Sequence, residues 1–154
     1  MQQLTRKLEP IFYNYKVIPL ILCLSIIIDY TLTFYVAGTP ENVLRFDNSP
    51  LLKLAVENNL VIEYLAIVVI FYYLAGYMAL KLFNGHIIYS AGVAIFLLLS
   101  LTHVLGGLSW LVINVYYSYF VIGLSISIIF IAIGILCYLL YEKLRSGHNK
   151  AISV

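Results

Sequence analysis

Between Val17 and Val36 the chain runs for twenty residues with one charge among them, Asp29. As a helix rising about 1.5 Å per residue, this run is about 30 Å long, which is the hydrocarbon thickness of a bilayer. A carboxylate at that depth costs roughly 2.5–3.5 kcal/mol on insertion scales. The twelve Ile, Leu, Val and Phe residues of the run each return roughly 0.3–0.6 kcal/mol. The segment therefore inserts, and Asp29 is the residue in it that most needs a reason to be there.

The rest of the chain supports the same reading. Of 154 residues, 63% are hydrophobic and 10% charged, whereas about a quarter of a soluble domain is charged. The chain is an integral membrane protein on these grounds. The first apolar run exceeds the roughly 7–15 residues of a signal-peptide core and has no small-residue cleavage site behind it, so it is expected to stay as a first span. Cys23 and Cys137 both lie inside apolar runs. That placement suits packing residues better than a disulfide framework or a metal motif. No Lys/Arg-rich arm interleaved with aromatics is present, and nucleic acid is not an expected partner.

Taken in order, residues 1–16 place Leu4, Leu8, Ile11 and Tyr15 at helical spacing with Arg6, Lys7 and Lys16 between them. They read either as a short helix on the membrane surface, interrupted by Pro10, or as a frayed basic terminus. A polar loop over 37–59 follows, in which Leu51, Leu52, Leu54 and Ala55 ahead of Glu57 can make one or two helical turns at the bilayer surface. Further spans are predicted at 60–82, 87–113 and 120–141, with a tight turn at Asn84-Gly85-His86, where Asn-Gly favours positive φ. The third run is longer than a crossing needs, so a tilted or kinked helix is expected. A polar tail covers 142–154. The predicted fold is all-α, a four-helix transmembrane bundle forming a single membrane domain over 1–154.

Four spans bring both termini to one side. That side carries Arg6, Lys7, Lys16, Lys81, Lys143, Arg145 and Lys150, and the other only Arg45 and Lys53. Seven against two is a strong positive-inside bias, which predicts a plasma-membrane protein with both termini cytoplasmic and the 37–59 loop outside. Tyr13, Tyr15, Tyr35, Trp110, Tyr116, Tyr117, Tyr119 and Tyr141 then fall near the interfaces.

Ser25, Asp29 and Thr33 recur every four residues, so they share one face of the first helix. That face is expected to look into the bundle, because lipid offers polar groups no partner. By depth, Asp29, His103 and Glu63 all belong to the outer half. Ser100, His103, Gly107, Trp110 and Asn114 make a stripe on the third helix. Asp29, Thr33, Glu63, His103 and Asn114 are therefore the candidate intramembrane polar cluster. Two carboxylates and an imidazole can carry protons, bind a divalent metal or do acid/base chemistry on a lipid-like substrate. With no His-Glu-x-x-His or similar ligand motif, the simpler reading pairs Asp29 with His103 as polar glue and leaves Glu63 solvated. Ala75, Ala79, Gly106-Gly107, Gly123 and Ser127 are the small residues expected at close helix contacts.

Asp29-x3-Thr33, the loop segment Asp47-x-Ser49-Pro50-Leu51 and the late Asn114 together resemble an uncharacterised family of small prokaryotic multi-span membrane proteins. That family's pattern is Asp-x3-Thr in the first helix, acidic-x-Asn-Pro-Leu in a loop and an Asn near the end of a later helix. Here Ser49 stands where the pattern has Asn, and Asn48 comes one place early. The resemblance implies roles for Asp29 and the loop without supplying a reaction. The Ile and Tyr content looks like that of a thermophilic archaeal chain or an archaeal virus.

The expected function is that of a small polytopic membrane protein, structural or accessory, acting through helix and subunit association. Its partners are membrane lipids and a homo-oligomer or larger membrane complex. No catalytic residue, cofactor or metal is expected, since the chain has no recognisable nucleophile–base pair, cofactor motif or phosphate loop. Two alternatives stand beside this: a proton or ion carrier using Asp29, His103 and Glu63, and an intramembrane metal-dependent hydrolase.

Overall fold

The computed structural model describes the backbone of residues 12–152 and the side chains of 12–138 and Tyr141. The surface helix expected around Leu4, Leu8 and Ile11 lies outside the described residues. Six helices and no strand occur among them: α1 (Val17–Ala37), α2 (Pro40–Phe46), α3 (Pro50–Glu57), α4 (Val61–Phe83), α5 (Tyr89–Leu108) and α6 (Val115–Ile152). Four of these, α1, α4, α5 and α6, are long and apolar enough to cross a membrane. The chain is a four-helix transmembrane bundle.

Local chemistry sets the boundaries. Pro19 is tolerated because it falls in the first turn of α1, where its missing N–H breaks no helical bond. The helix stops at Gly38, whose φ of 71° turns the chain and whose N–H donates to Phe34 O at 3.1 Å. One device then starts two helices in succession. Thr39 Oγ1 accepts from Asn42 N at 3.3 Å and Pro40 opens α2, while Ser49 Oγ accepts from Leu52 N at 3.3 Å and Pro50 opens α3. A hydroxyl N-cap followed by Pro is a strong helix start. The 37–59 segment is thus a two-helix cap rather than an open loop with one or two turns in it.

The third and fourth spans differ from expectation. The helix expected over 87–113 ends at Leu108. Ser109 Oγ donates back to Gly106 O at 2.6 Å, and tight turns carry the chain through Trp110 and Leu111. Asn114 then caps α6, its Oδ1 accepting from Tyr116 N at 2.9 Å and Tyr117 N at 3.3 Å. The 114–119 link is consequently a cap and a first helical turn, and the extra length of the third apolar run is turn, not tilted helix. Apolar composition does not separate the two, because a turn at the interface can be as greasy as the helix it ends.

The helices α1 and α5 form the central pair, with α4 against both and α6 against α5. Near the 84–88 turn, Ile18, Leu80, Phe83, Tyr89 and Val93 make one buried cluster. At the other end, the cap end, Ala37, Val43, Leu52 and Val56 pack with Tyr30, Phe34, Leu44, Val61, Tyr64 and Trp110. The cap is therefore folded down onto α1, α4 and the α5–α6 turn. Glycine permits the closest approaches. A Cβ on Gly76 would lie 2.9 Å from the Phe96 ring, and one on Gly92 2.9 Å from the Phe83 ring. Neither glycine was among the small residues expected at contacts, and expected Gly123 has nothing within 4 Å of its Cβ position.

Candidate functional site

The stripe on α1 points inward. Ser25 and Thr33 are 5% and 3% exposed, and between them Asp29 Oδ2 meets His103 Nδ1 of α5 at 2.9 Å. Both side chains keep a little surface, 19% for Asp29 and 23% for His103. The His103 ring meets the ring of Tyr72 on α4 edge to face, with centroids 5.9 Å apart. Three helices thus converge on one imidazole.

Glycines bring the two backbones this close. A Cβ on Gly107 would lie 2.9 Å from Asp29 Cα and 3.1 Å from Asp29 O, and one on Gly106 would lie 3.4 Å from Asp29 Oδ1. His103 stands about one helical turn before this crossing, so its ring reaches Asp29 without the helices parting. Small residues at a crossing, with one polar contact beside them, are how helices associate where water supplies no hydrophobic drive. The carboxylate is asymmetrically used. Oδ2 is engaged by His103, and Oδ1 accepts no hydrogen bond from a described residue.

The neighbouring hydroxyls turn to their own helices. Ser25 Oγ donates to Leu22 O at 2.7 Å, Ser100 Oγ to Phe96 O at 2.8 Å and Thr102 Oγ1 to Leu99 O at 2.8 Å. Cys23 Sγ donates to Val69 O at 3.4 Å, which ties α1 to α4 and gives the thiol a packing role. Two members of the expected cluster do not join. Glu63 is exposed in the first turn of α4, and Asn114 is exposed as the cap of α6. Depth along a helix can be counted from sequence, but the direction a side chain faces around it depends on which neighbours it has. Among the described residues, no three His, Cys, Asp or Glu side chains come together as metal ligands.

Comparison with known protein families, curated proteins and solved structures finds no match. The site must be read from its own chemistry. Toward the cap end it continues into Tyr30 and Tyr64, which sequence reasoning did not single out, and into Asp47 of the loop motif. Tyr30, next to Asp29, and Tyr64 of α4 share a hydroxyl–hydroxyl hydrogen bond of 2.9 Å. Above them Asp47, at the corner between α2 and α3, accepts from Ser49 N at 2.6 Å. Burial raises the Asp47 carboxyl above its usual range; the Ser49 N–H lowers it, the negative charge of Asp29 raises it further and Lys53 lowers it. Tyrosine beside the intramembrane carboxylate was the available signal for Tyr30. Nothing local marked Asp47 as its neighbour.

The tyrosine pair can be tested directly. Tyr64→Phe removes the α4 hydroxyl and leaves the ring packing, so it is expected to lower stability by about 0.5–1.5 kcal/mol. Thermal unfolding in detergent measures this, and an unchanged midpoint would show that the pair contributes nothing to holding α1 on α4.

One cleft lies elsewhere. It is an open depression of about 410 Å³ lined by Tyr13, Asn84, His86, Tyr89 and Ser90, beside the 84–88 turn. Asp29 and His103 are at the opposite half of the bundle, and the cleft has no part in their chemistry.

Proposed function

We propose that the protein is a small multi-pass plasma-membrane protein that binds a proton at Asp29–His103 from its outer face, without catalytic chemistry. The cap end is taken as outside and both termini as cytoplasmic, following the distribution of Lys and Arg. The observation that carries this reading is the half-used carboxylate: one oxygen on His103 Nδ1 at 2.9 Å, the other with no donor among the described residues. Inside a membrane such an oxygen is costly unless it is protonated or hydrated. An imidazole alongside offers a second place for the same proton. The hydroxyls of Ser25, Ser100 and Thr102 donate to their own helices rather than to one another. This favours exchange with one face over conduction across the bilayer.

Infrared difference spectroscopy of the protein in liposomes, between acid and neutral pH, tests the proposal. A carboxylic acid band is expected in the wild type and is expected to vanish in Asp29→Asn, which keeps an acceptor for His103. No Asp29-dependent band over that range would remove the proposal. Proton flux into the same liposomes, followed with an internal dye, is expected to equal that of protein-free vesicles.

A second reading is favoured by Gly106 and Gly107. On it the pair is a clamp that shapes an accessory protein, which then works by association with itself or with a larger membrane complex. Here Asp29→Asn leaves every pH-dependent property unchanged, and the protein migrates with partners when extracted from its native membrane.

A further inference from the structure

Around the Asp29–His103 pair, three acceptor atoms have no partner among the described residues. Asp29 is engaged through Oδ2 and His103 through Nδ1. This leaves Asp29 Oδ1, His103 Nε2 and the hydroxyl oxygen of Tyr72, whose ring meets that of His103. An ionised carboxylate only accepts, so Nδ1 carries the imidazole proton and Nε2 carries a lone pair. All three side chains are half-buried, and in described residues of that kind no fully buried nitrogen or oxygen lacks a hydrogen-bond partner. The three atoms therefore reach the surface of the bundle, which agrees with the 19% and 23% exposure of Asp29 and His103. They do so far from either headgroup layer. Asp29 stands eight residues from the Ala37 end of α1 and twelve from the Val17 end, about 12 and 18 Å along the axis.

We propose that Asp29, His103 and Tyr72 form an acceptor site for the primary ammonium group of a hydrophobic amine whose alkyl chain lies in the bilayer. The proposal names a ligand for the proton-binding site, and rests on that reading for the exchange of amine with proton, though not for the binding itself. A primary ammonium has three N–H donors and no acceptor, which matches Oδ1, Nε2 and the Tyr72 oxygen one for one. Its charge offsets that of the carboxylate, which is costly at this depth. Bilayer hydrocarbon solvates the chain, so an opening at the bundle surface suffices and no enclosed pocket is needed. A metal ion fits less well. It takes about four to six ligands, and no three His, Cys, Asp or Glu side chains meet among the described residues.

Amine and proton then compete for the same atoms. A proton on Oδ1 removes the negative charge and one acceptor, and a proton on Nε2 removes another acceptor and adds a like charge. Both act in one direction. Amine binding is strong where the pair holds only the Nδ1 proton, and weakens as pH falls through the range where a second proton is taken up, by up to about tenfold per unit. The titratable groups around Asp29 are His103 on α5, Tyr30 on α1, Tyr72 and Tyr64 on α4 and Asp47 of the cap. On α6, the Tyr117 hydroxyl is engaged with Leu105 O.

Equilibrium dialysis of tritiated hexylamine against the full chain in phosphatidylcholine liposomes, with protein-free liposomes as the blank, tests the site. Saturable binding above the blank is expected at neutral pH and is expected to weaken on acidification. Hexyltrimethylammonium has the same charge and chain but no N–H, and should bind at least about tenfold more weakly. Asp29→Asn, which keeps an acceptor for His103 and loses the charge, should weaken hexylamine at least about tenfold, and Tyr72→Phe, which keeps the ring, several-fold. Ethanolamine lipids added to the liposomes should leave binding unchanged, because their headgroups lie too far from Asp29. The proposal is overturned by wild-type binding no greater than the blank, by the trimethyl compound binding as tightly as the amine, by either variant binding as tightly as the wild type, or by displacement with ethanolamine lipids. The Asp29 infrared band separates the two ideas. A band without amine binding leaves proton binding standing alone, and Asp29-dependent amine binding at every pH without the band leaves an amine site that exchanges no proton.

Discussion

Gly107→Ala is expected to destabilise the bundle by about 1–3 kcal/mol, the usual range for overpacking a tight site. Helix propensity works the other way and returns up to about 1 kcal/mol. Sterics should win, because the obstacle is backbone. A methyl at this position would lie 2.9 Å from Asp29 Cα and 3.1 Å from its carbonyl oxygen, so α1 as a whole must move away from α5. Gly123→Ala is the control. Nothing lies within 4 Å of that position, so the propensity gain stands unopposed and the midpoint should hold or rise. Thermal unfolding of both variants in one detergent reads the contrast. Equal shifts in the two would mean that the α1–α5 approach at Asp29 does not hold the bundle together.

A loss of comparable or larger size is expected for His103→Ala. Leaving a buried carboxylate without its partner typically costs about 1–3 kcal/mol or more. Here the lower end applies, since both side chains keep about a fifth of their surface and an exposed pair is worth less. Asp29→Asn should cost much less, because the amide oxygen can still accept from His103. The pair of midpoints, measured together, separates a lost hydrogen bond from a lost charge. If Asn at 29 destabilises as much as Ala at 103, the charge itself holds the helices and the hydrogen bond is incidental.

Much of this arrangement was legible in the chain. Apolar length alone located α1 and α4 to within a residue or two, since a bilayer-length run has few other uses. The Ser25, Asp29, Thr33 spacing gave the inward face, because residues four apart on a helix must share one side. Depth counting put His103 in the same half of the bilayer as Asp29. The same counting put Glu63 in their company, and there it failed, for depth carries no information on direction around the axis. Gly76 and Gly92 were missed because a glycine matters only through what stands opposite, Phe96 and Phe83, and that is set by tertiary packing. The cap was partly readable: Thr39-Pro40 carries the same start signal as Ser49-Pro50, and α2 could have been found with it. The approach of Asp47 to Asp29 depends on the cap folding back, which no local pattern encodes.

One dimension of the bundle bears on how the molecule could act on its surroundings. The α6 helix has 38 residues, about 57 Å at the standard rise, against a hydrocarbon layer of about 30 Å. It is held over its first half, where Tyr117 donates its hydroxyl proton to Leu105 O of α5 at 3.1 Å and Val121 and Ile128 are buried. A long stiff rod anchored at one end is a lever. A tilt of about 10° at the anchor would sweep the far end through roughly 9 Å. An adjustment of α5 too slight to disturb the packing around Asp29 would thus arrive at the opposite membrane surface as a displacement large enough for a neighbouring molecule to feel.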